Sequence, residues 1–224
     1  MNGFLLVDKP AGITSHDAVD TIRRRFQIQR VGHGGTLDPA ATGLLILLVG
    51  QATRQASTFL GADKTYQATL RLGIITDTQD GQGKVLQTRP VGPISLEQIR
   101  QACVHFHGEI HQKIPAYSAI RIQGKRSYDL ARAGIAIPER SRLVRIYELK
   151  ILGLTLPDLD FQIRCSKGTY IRMLCEDLGV ALGCGGYLAK LRRTQVGSFS
   201  IDQAVTLEEA SPKHILSFAE LLCP

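Results

Sequence analysis

Hydrophobic and polar residues recur along this chain with recognisable periods, and each period predicts an element. Leu44-Leu45-Ile46-Leu47-Leu48-Val49 is an unbroken apolar run, the signature of a buried strand. Residues 3–7 make a shorter apolar strand, broken by Lys9-Pro10-Ala11-Gly12. Residues 65–73 alternate strictly. Tyr66, Ala68, Leu70 and Leu72 share one face, with Thr65, Gln67, Thr69 and Arg71 on the other, as in a half-buried strand. Residues 145–153 and 160–166 read as two further strands joined through Pro157, with Phe161, Ile163 and Cys165 on one face of the second. Helical spacing links Ala18, Val19, Ile22 and Phe26 behind Ser15, which suits an N-cap. It recurs in Ala52, Ala56, Phe59 and Leu60, and in Leu96, Ile99 and Cys103 behind the capping box Ser95-Leu96-Glu97-Gln98. Ile171, Leu174, Leu178 and Leu182 form another apolar stripe, ended by residues 183–186. Ser211-Pro212 opens a last short helix with Ile215, Ala219 and Leu222 inward. Strands and helices mix without regular β-α-β alternation, which predicts an α+β fold with a mostly antiparallel sheet.

Composition narrows the picture. The 224 residues carry a net charge of +7, and 44% are hydrophobic, enough to build a sizeable core and to favour a polyanionic partner. No signal peptide or membrane-length apolar run is present. Five cysteines, odd in number and without C-x-x-C spacing, read as reduced thiols of a cytoplasmic protein. Charge is uneven. Between residues 121 and 150 the cations Arg121, Lys125, Arg126, Arg132, Arg140, Arg142, Arg145 and Lys150 face only Asp129, Glu139 and Glu148. Tyr117 and Tyr128 lie beside or within this stretch, and glycines break it, so it reads as an arm that neutralises phosphates and stacks on bases. Arg23-Arg24-Arg25 reads instead as a solvated helix face.

Chemistry concentrates in Val31-Gly32-His33-Gly34-Gly35-Thr36-Leu37-Asp38-Pro39-Ala40-Ala41-Thr42-Gly43. Glycines admit close approach of a ligand, and Pro39 biases Asp38 toward extended geometry, so one carboxylate sits on a tight loop ahead of a core strand. By itself the segment reads equally as a polar turn whose Asp caps local backbone. Residues 77–83 resemble a calcium loop superficially, but Gln79 stands where a ligand is wanted and no Glu follows at the required offset. His105, His107 and His111 lack an acidic or cysteine partner nearby. No Walker lysine or dinucleotide fingerprint occurs. Arg172 lies one residue off the apolar stripe of its helix, where its ordinary partner would be Glu176.

The Asp38 segment resembles the catalytic motif of the TruB family of pseudouridine synthases, which act at position 55 of tRNA. Gly3-Phe4-Leu5-Leu6-Val7-Asp8-Lys9-Pro10 with Gly12-Ile13-Thr14-Ser15, Lys64-Thr65-Tyr66, Pro115-Ala116-Tyr117-Ser118-Ala119, Gly124-Lys125-Arg126-Ser127-Tyr128, Cys165-Ser166-Lys167-Gly168-Thr169-Tyr170-Ile171-Arg172 and Leu191-Arg192-Arg193-Thr194 match in the family's order. The resemblance implies the pseudouridine synthase fold: a mixed, mostly antiparallel sheet with flanking helices and a central RNA-binding cleft. It implies one catalytic domain over residues 1–224 with an RNA-clasping insertion at about 112–145, mobile without RNA, and no C-terminal RNA-binding domain. Binding would then be weaker and more salt-sensitive. The implied activity is isomerisation of uridine 55 in the T loop to pseudouridine. Base flipping and Asp38 drive it, Tyr66 stacks on the base and Arg172 pairs with the carboxylate. Tyr170, Leu191, His33, Lys9 and Lys64 are implied in substrate binding, and Lys125, Arg126, Tyr128 and Arg132 in the RNA arm. No cofactor or metal is expected. The expected partner is the T arm of tRNA, with no membrane, no obligate protein partner and a monomeric state. A non-catalytic RNA-folding module and a guide-RNA-dependent relative are the competing readings.

Overall fold

The computed structural model describes residues 1–118, 120–122 and 124–217. Its strands are β1 (Gly3–Lys9), β2 (Val31–His33), β3 (Thr42–Val49), β4 (Lys64–Leu72), β5 (Ile74–Thr76), β6 (Val85–Thr88), β7 (Gly108–Lys113), β8 (Arg121–Ile122), β9 (Lys125–Arg126), β10 (Ser141–Thr155), β11 (Asp158–Cys165), β12 (Gly186–Val196), β13 (Phe199–Ser200) and β14 (Val205–Thr206). Its α-helices are α1 (Ser15–Phe26), α2 (Ala56–Gly61), α3 (Leu96–Val104), α4 (Ser127–Arg132) and α5 (Ile171–Ala181). The chain divides into two compact units, Met1–Gln67 with Lys190–Pro224, and Ala68–Ala189.

In the first unit β3 lies between β1 and β12, antiparallel to β1 and parallel to β12. β14 adds parallel to β1, β2 pairs antiparallel with β3, and β13 pairs antiparallel with β12. The unbroken apolar run of β3 is explained by burial on both faces. Leu45 and Leu47 pack with Leu5, Val7 and the α1 residues Ala18, Val19, Ile22 and Phe26. Leu44, Ile46 and Leu48 pack on the opposite side with Phe4, Leu6, Phe59 and Phe199. Each such side chain contributes roughly 1.5–3 kcal/mol of transfer free energy, so the strand is a rigid base for the loop that precedes it.

Helix α1 starts one residue earlier than its sequence suggests. Thr14, not Ser15, is the N-cap: its hydroxyl accepts from the Asp17 amide while the Asp17 carboxylate accepts from the Thr14 amide. Ser15 is thereby released for another contact, described below. Arg23 pairs with Asp20 at 2.6 Å, and Arg25 donates to the Leu207 carbonyl at 2.6 Å, so the arginine run is only partly a solvated face. Residues 51–60 are not one helix. A 3-10 turn, Gly50–Gln55, leads into α2. The last expected helix is a single 3-10 turn, Pro212–His214, with Ser211 as N-cap; Ala219 and Leu222 lie outside the described residues.

In the second unit β10 is flanked by β7 and β11, both antiparallel. Leu159, Phe161, Ile163 and Cys165 alternate inward along β11, as the period-two pattern requires. Ser95 and Gln98 close a reciprocal capping box at the start of α3. Cys165, Cys175 and Cys184 are buried thiols, and burial pushes the half-buried Cys103 thiol up to about 11. The mixed, mostly antiparallel sheet agrees with the fold class expected from the strand pattern. No helix among the described residues is long and apolar enough to cross a membrane.

Candidate active site

The Asp38 loop joins β2 to β3. Its first half is tied to the sheet by the Gly34 amide, which donates to the Ile46 carbonyl at 2.8 Å. A Cβ at Gly34 would sit 2.6 Å from the Phe59 Cβ, so a larger residue cannot make this approach. Gly43 has φ +101°, and a Cβ there would collide with the Arg193 carbonyl of the adjacent β12.

Three side chains then pin the loop on both sides of Asp38. Ser15 Oγ accepts from the Leu37 amide at 2.8 Å and donates to the Leu37 carbonyl at 3.1 Å. Lys9, fully buried, donates through Nζ to the carbonyls of Pro10 and Ile13, both at 2.8 Å, and of Pro39 at 3.3 Å. Arg193, 2% exposed, donates to the carbonyls of Gly35 at 3.1 Å, Thr36 at 3.2 Å and Leu44 at 2.7 Å. The Asp38 side chain itself is partly exposed. The result is a carboxylate whose neighbouring backbone cannot shift without breaking buried hydrogen bonds, each worth about 0.5–1.5 kcal/mol and more when charged.

Electrostatics around the loop are cationic. Burial pulls the Lys9 ammonium down to about 8; the charge of Asp38 opposes this, and Arg193 adds to it. Burial also lowers the Arg193 guanidinium from its ordinary value, opposed by the neighbouring Tyr66 phenol. Tyr66 is half-buried and, with Leu191, packs against the same core as α1. His33 is held below the usual imidazole range, first by burial and then by the charges of Arg193 and His16. Its Nδ1 accepts from the Gly35 amide at 3.4 Å, which requires that nitrogen unprotonated. Lys64 Nζ donates to the carbonyls of Phe59, Leu60 and Ala62 at 2.7–3.0 Å, capping the C-terminus of α2. Thus Asp38, Tyr66, Leu191, His33 and Lys9 belong to one unit, and Lys64 supports it from within.

Arg172 and Tyr170 belong to the second unit. Arg172, 7% exposed, donates to the carbonyls of Thr78 and Tyr117, both at 3.0 Å, and its Nε lies 3.8 Å from Asp80 Oδ2. Within this unit an acidic partner of Arg172 is Asp80. Asp80 is in turn fixed by Thr78 Oγ1 at 2.6 Å and the Gln82 amide at 3.0 Å. Tyr170 is the N-cap residue of α5, and buried Gln112 bonds both its amide and its carbonyl. Arg142 stacks 5.5 Å from the Tyr170 ring centroid. In the arm, β8 and β9 form a short hairpin followed by α4. Ser127 bonds the Ile120 and Ala116 carbonyls at its base. Lys125 is exposed and Tyr128 partly exposed; the side chains of Arg126 and Arg132 lie outside what the structure describes.

Sequence reading missed Ser15, Arg193, Asp80 and Gln112 as supports. None of the four left a clear signal in the sequence; around Arg193 the burial along β12 does not alternate.

Residues 23–171 match the N-terminal domain of the TruB family pseudouridylate synthases, and residues 172–216 match the tRNA pseudouridylate synthase B C-terminal domain. The chain is 44% identical to tRNA pseudouridine synthase B of Syntrophotalea carbinolica, covering 99% of this chain and 75% of that one. It is 48% identical to the protein of the same name from Aromatoleum aromaticum, over 100% and 72%, and 46% identical to that of Opitutus terrae, over 95% and 89%. Among solved structures it resembles a chain of a Cbf5-Nop10-Gar1 complex, with TM-score 0.73 and 32% identity over 92% of this chain; it spans about half, 53%, of that chain. A family match that runs through both units, with this level of identity over nearly the whole sequence, makes the chain a member of the TruB family of pseudouridylate synthases.

Proposed function

We propose that this chain isomerises uridine 55 in the T loop of tRNA to pseudouridine, with Asp38 as the group that acts on the nucleoside. The reaction breaks the N-glycosidic bond, turns the uracil and forms a bond from C5 to the sugar, with no net redox change. The target must leave the helical stack to meet a group on a protein loop. The observation that carries the reading is the anchoring of Gly35, Thr36, Leu37 and Pro39 around a partly exposed carboxylate. A capping turn needs no such fixation; a reacting group needs its position held closely.

Tyr66 stacks on the everted base and Leu191 shapes the wall beside it; Tyr170 belongs to substrate binding by family resemblance. His33, neutral by its environment, fills space vacated in the RNA loop. Lys9 and Lys64 serve the site by holding backbone. Arg172 belongs to the same reaction by family resemblance, and its preparation within its own unit, by two carbonyls and Asp80, supports that role. The arm residues Lys125, Arg126, Tyr128 and Arg132 contact RNA. The chain acts as a monomer on the T arm.

Asp38→Asn tests the reading. Incubated with unmodified tRNA transcript, it is expected to lose product formation by at least about 100-fold, the low end for removing a group that works in the transition state, while its affinity for tRNA stays near that of the parent. Substantial turnover by this variant overturns the proposal.

A further inference from the structure

Arg193 is a guanidinium with 2% exposure, flanked in its strand by the half-buried Arg192 and Thr194. Burying a permanent cation is costly unless acceptors surround it. The acceptors found are not carboxylates but main-chain carbonyls, those of Gly35 and Thr36 in the Asp38 loop and of Leu44 in β3. The approach is close enough that Gly43, beside Arg193 in the sheet, has no room for a Cβ. The Tyr66 phenol is a neighbour of the same guanidinium and interacts with it. Arginine has donors only, so in that contact the phenol oxygen accepts, and its own O–H must point elsewhere.

We propose that Arg193 is a positioning residue for this reaction, fixing the Asp38 loop through its carbonyls and orienting the Tyr66 hydroxyl by donating to its oxygen. The inference rests on the reading of Asp38 and Tyr66 given above. One planar cation thereby sets two functional groups relative to each other. Lysine has the charge but not the planar fork, and cannot hold three carbonyls and a phenol in the same directions.

The test is a double-mutant cycle with Arg193→Lys and Tyr66→Phe, read by single-turnover pseudouridine formation and by tRNA affinity. Arg193→Lys is expected to slow the single turnover about 100-fold, the loss produced by a displacement of about 1 Å, with tRNA affinity within about twofold. In the Tyr66→Phe background the same substitution should cost markedly less, because part of its effect passes through the missing hydroxyl. Equal losses in both backgrounds, or a loss confined to affinity, would mean that Arg193 merely supports the fold, and overturn the proposal. Should Arg193→Lys fail to fold, Tyr66→Phe alone still decides: a single-turnover rate equal to the parent's removes any role for an oriented hydroxyl. The Asp38→Asn result separates the two readings. If that variant is inactive while Arg193→Lys is normal, only the inference about Arg193 falls.

Discussion

Residues 190–193 and residues 121–150 are both rich in lysine and arginine, and their cations live in opposite surroundings. In β12, Arg193 is enclosed by carbonyls, and Arg192 clasps Asp8 with two hydrogen bonds of 3.0 and 2.7 Å. In the other stretch, Lys125, Arg140 and Lys150 are exposed. A cation whose acceptors are already in place defines a shape; it has little left to offer a ligand. A cation in water is available to a phosphate, and its contribution is lost as salt rises. Lys9 and Arg172 belong with the first kind, since each is buried and bonded to at least two carbonyls. The contrast separates the positively charged residues that organise this protein from those proposed to meet RNA.

The sharpest way to break that contrast is Arg172→Lys. If Arg172 is part of a fixed constellation, retaining charge should not rescue it, and single-turnover pseudouridine formation should fall about 100-fold with tRNA affinity little changed. Near-parental rates would place Arg172 among the replaceable charges.

Lys9 gives a thermodynamic version of the same test. Its ammonium ionises at about 8 in the fold against an ordinary value of 10.5. Between these values the unfolded chain binds more protons at this site than the folded one, so stability rises with pH across that window. Relative to Lys9→Met, the parent should gain up to roughly 3 kcal/mol between pH 8 and pH 10.5, measured by urea unfolding at several pH values. Parallel pH profiles would mean that the Lys9 ammonium is not desolvated by the fold.

The smallest effect is expected in the arm. Lys125→Ala should leave the single-turnover rate at saturating tRNA unchanged, weaken binding a few-fold and reduce the salt slope of the affinity by about one. An unchanged slope would remove Lys125 from the phosphate contacts.

Much of the scaffold was legible because it depends on neighbours in sequence. The alternation in residues 65–73 specifies β4, the apolar run specifies β3, and Ser95 with Gln98 specifies the start of α3, since side-chain period and capping are local properties. Even locally, the cap of α1 lies one residue from its expected place. Thr14 and Ser15 both suit an N-cap, and the choice fell to Thr14 because Leu37, more than twenty residues away, claims Ser15 on both its amide and its carbonyl.

The sequence by itself determined strands β1, β3, β4, β10 and β11 and helices α1, α3 and α5, and that Asp38 stands on a constrained loop ahead of a core strand. Only the tertiary structure decided what constrains that loop. Arg193 reads as one more basic residue until β12 lies against β3; for Arg172, helix spacing offers Glu176 and the family resemblance Asp38, and the turn at residues 76–82 also brings Asp80 to it. The reason is physical. A hydrogen bond or ion pair depends on distance and on exclusion of water, and for these residues both are set by chain segments about 90 to 160 positions apart.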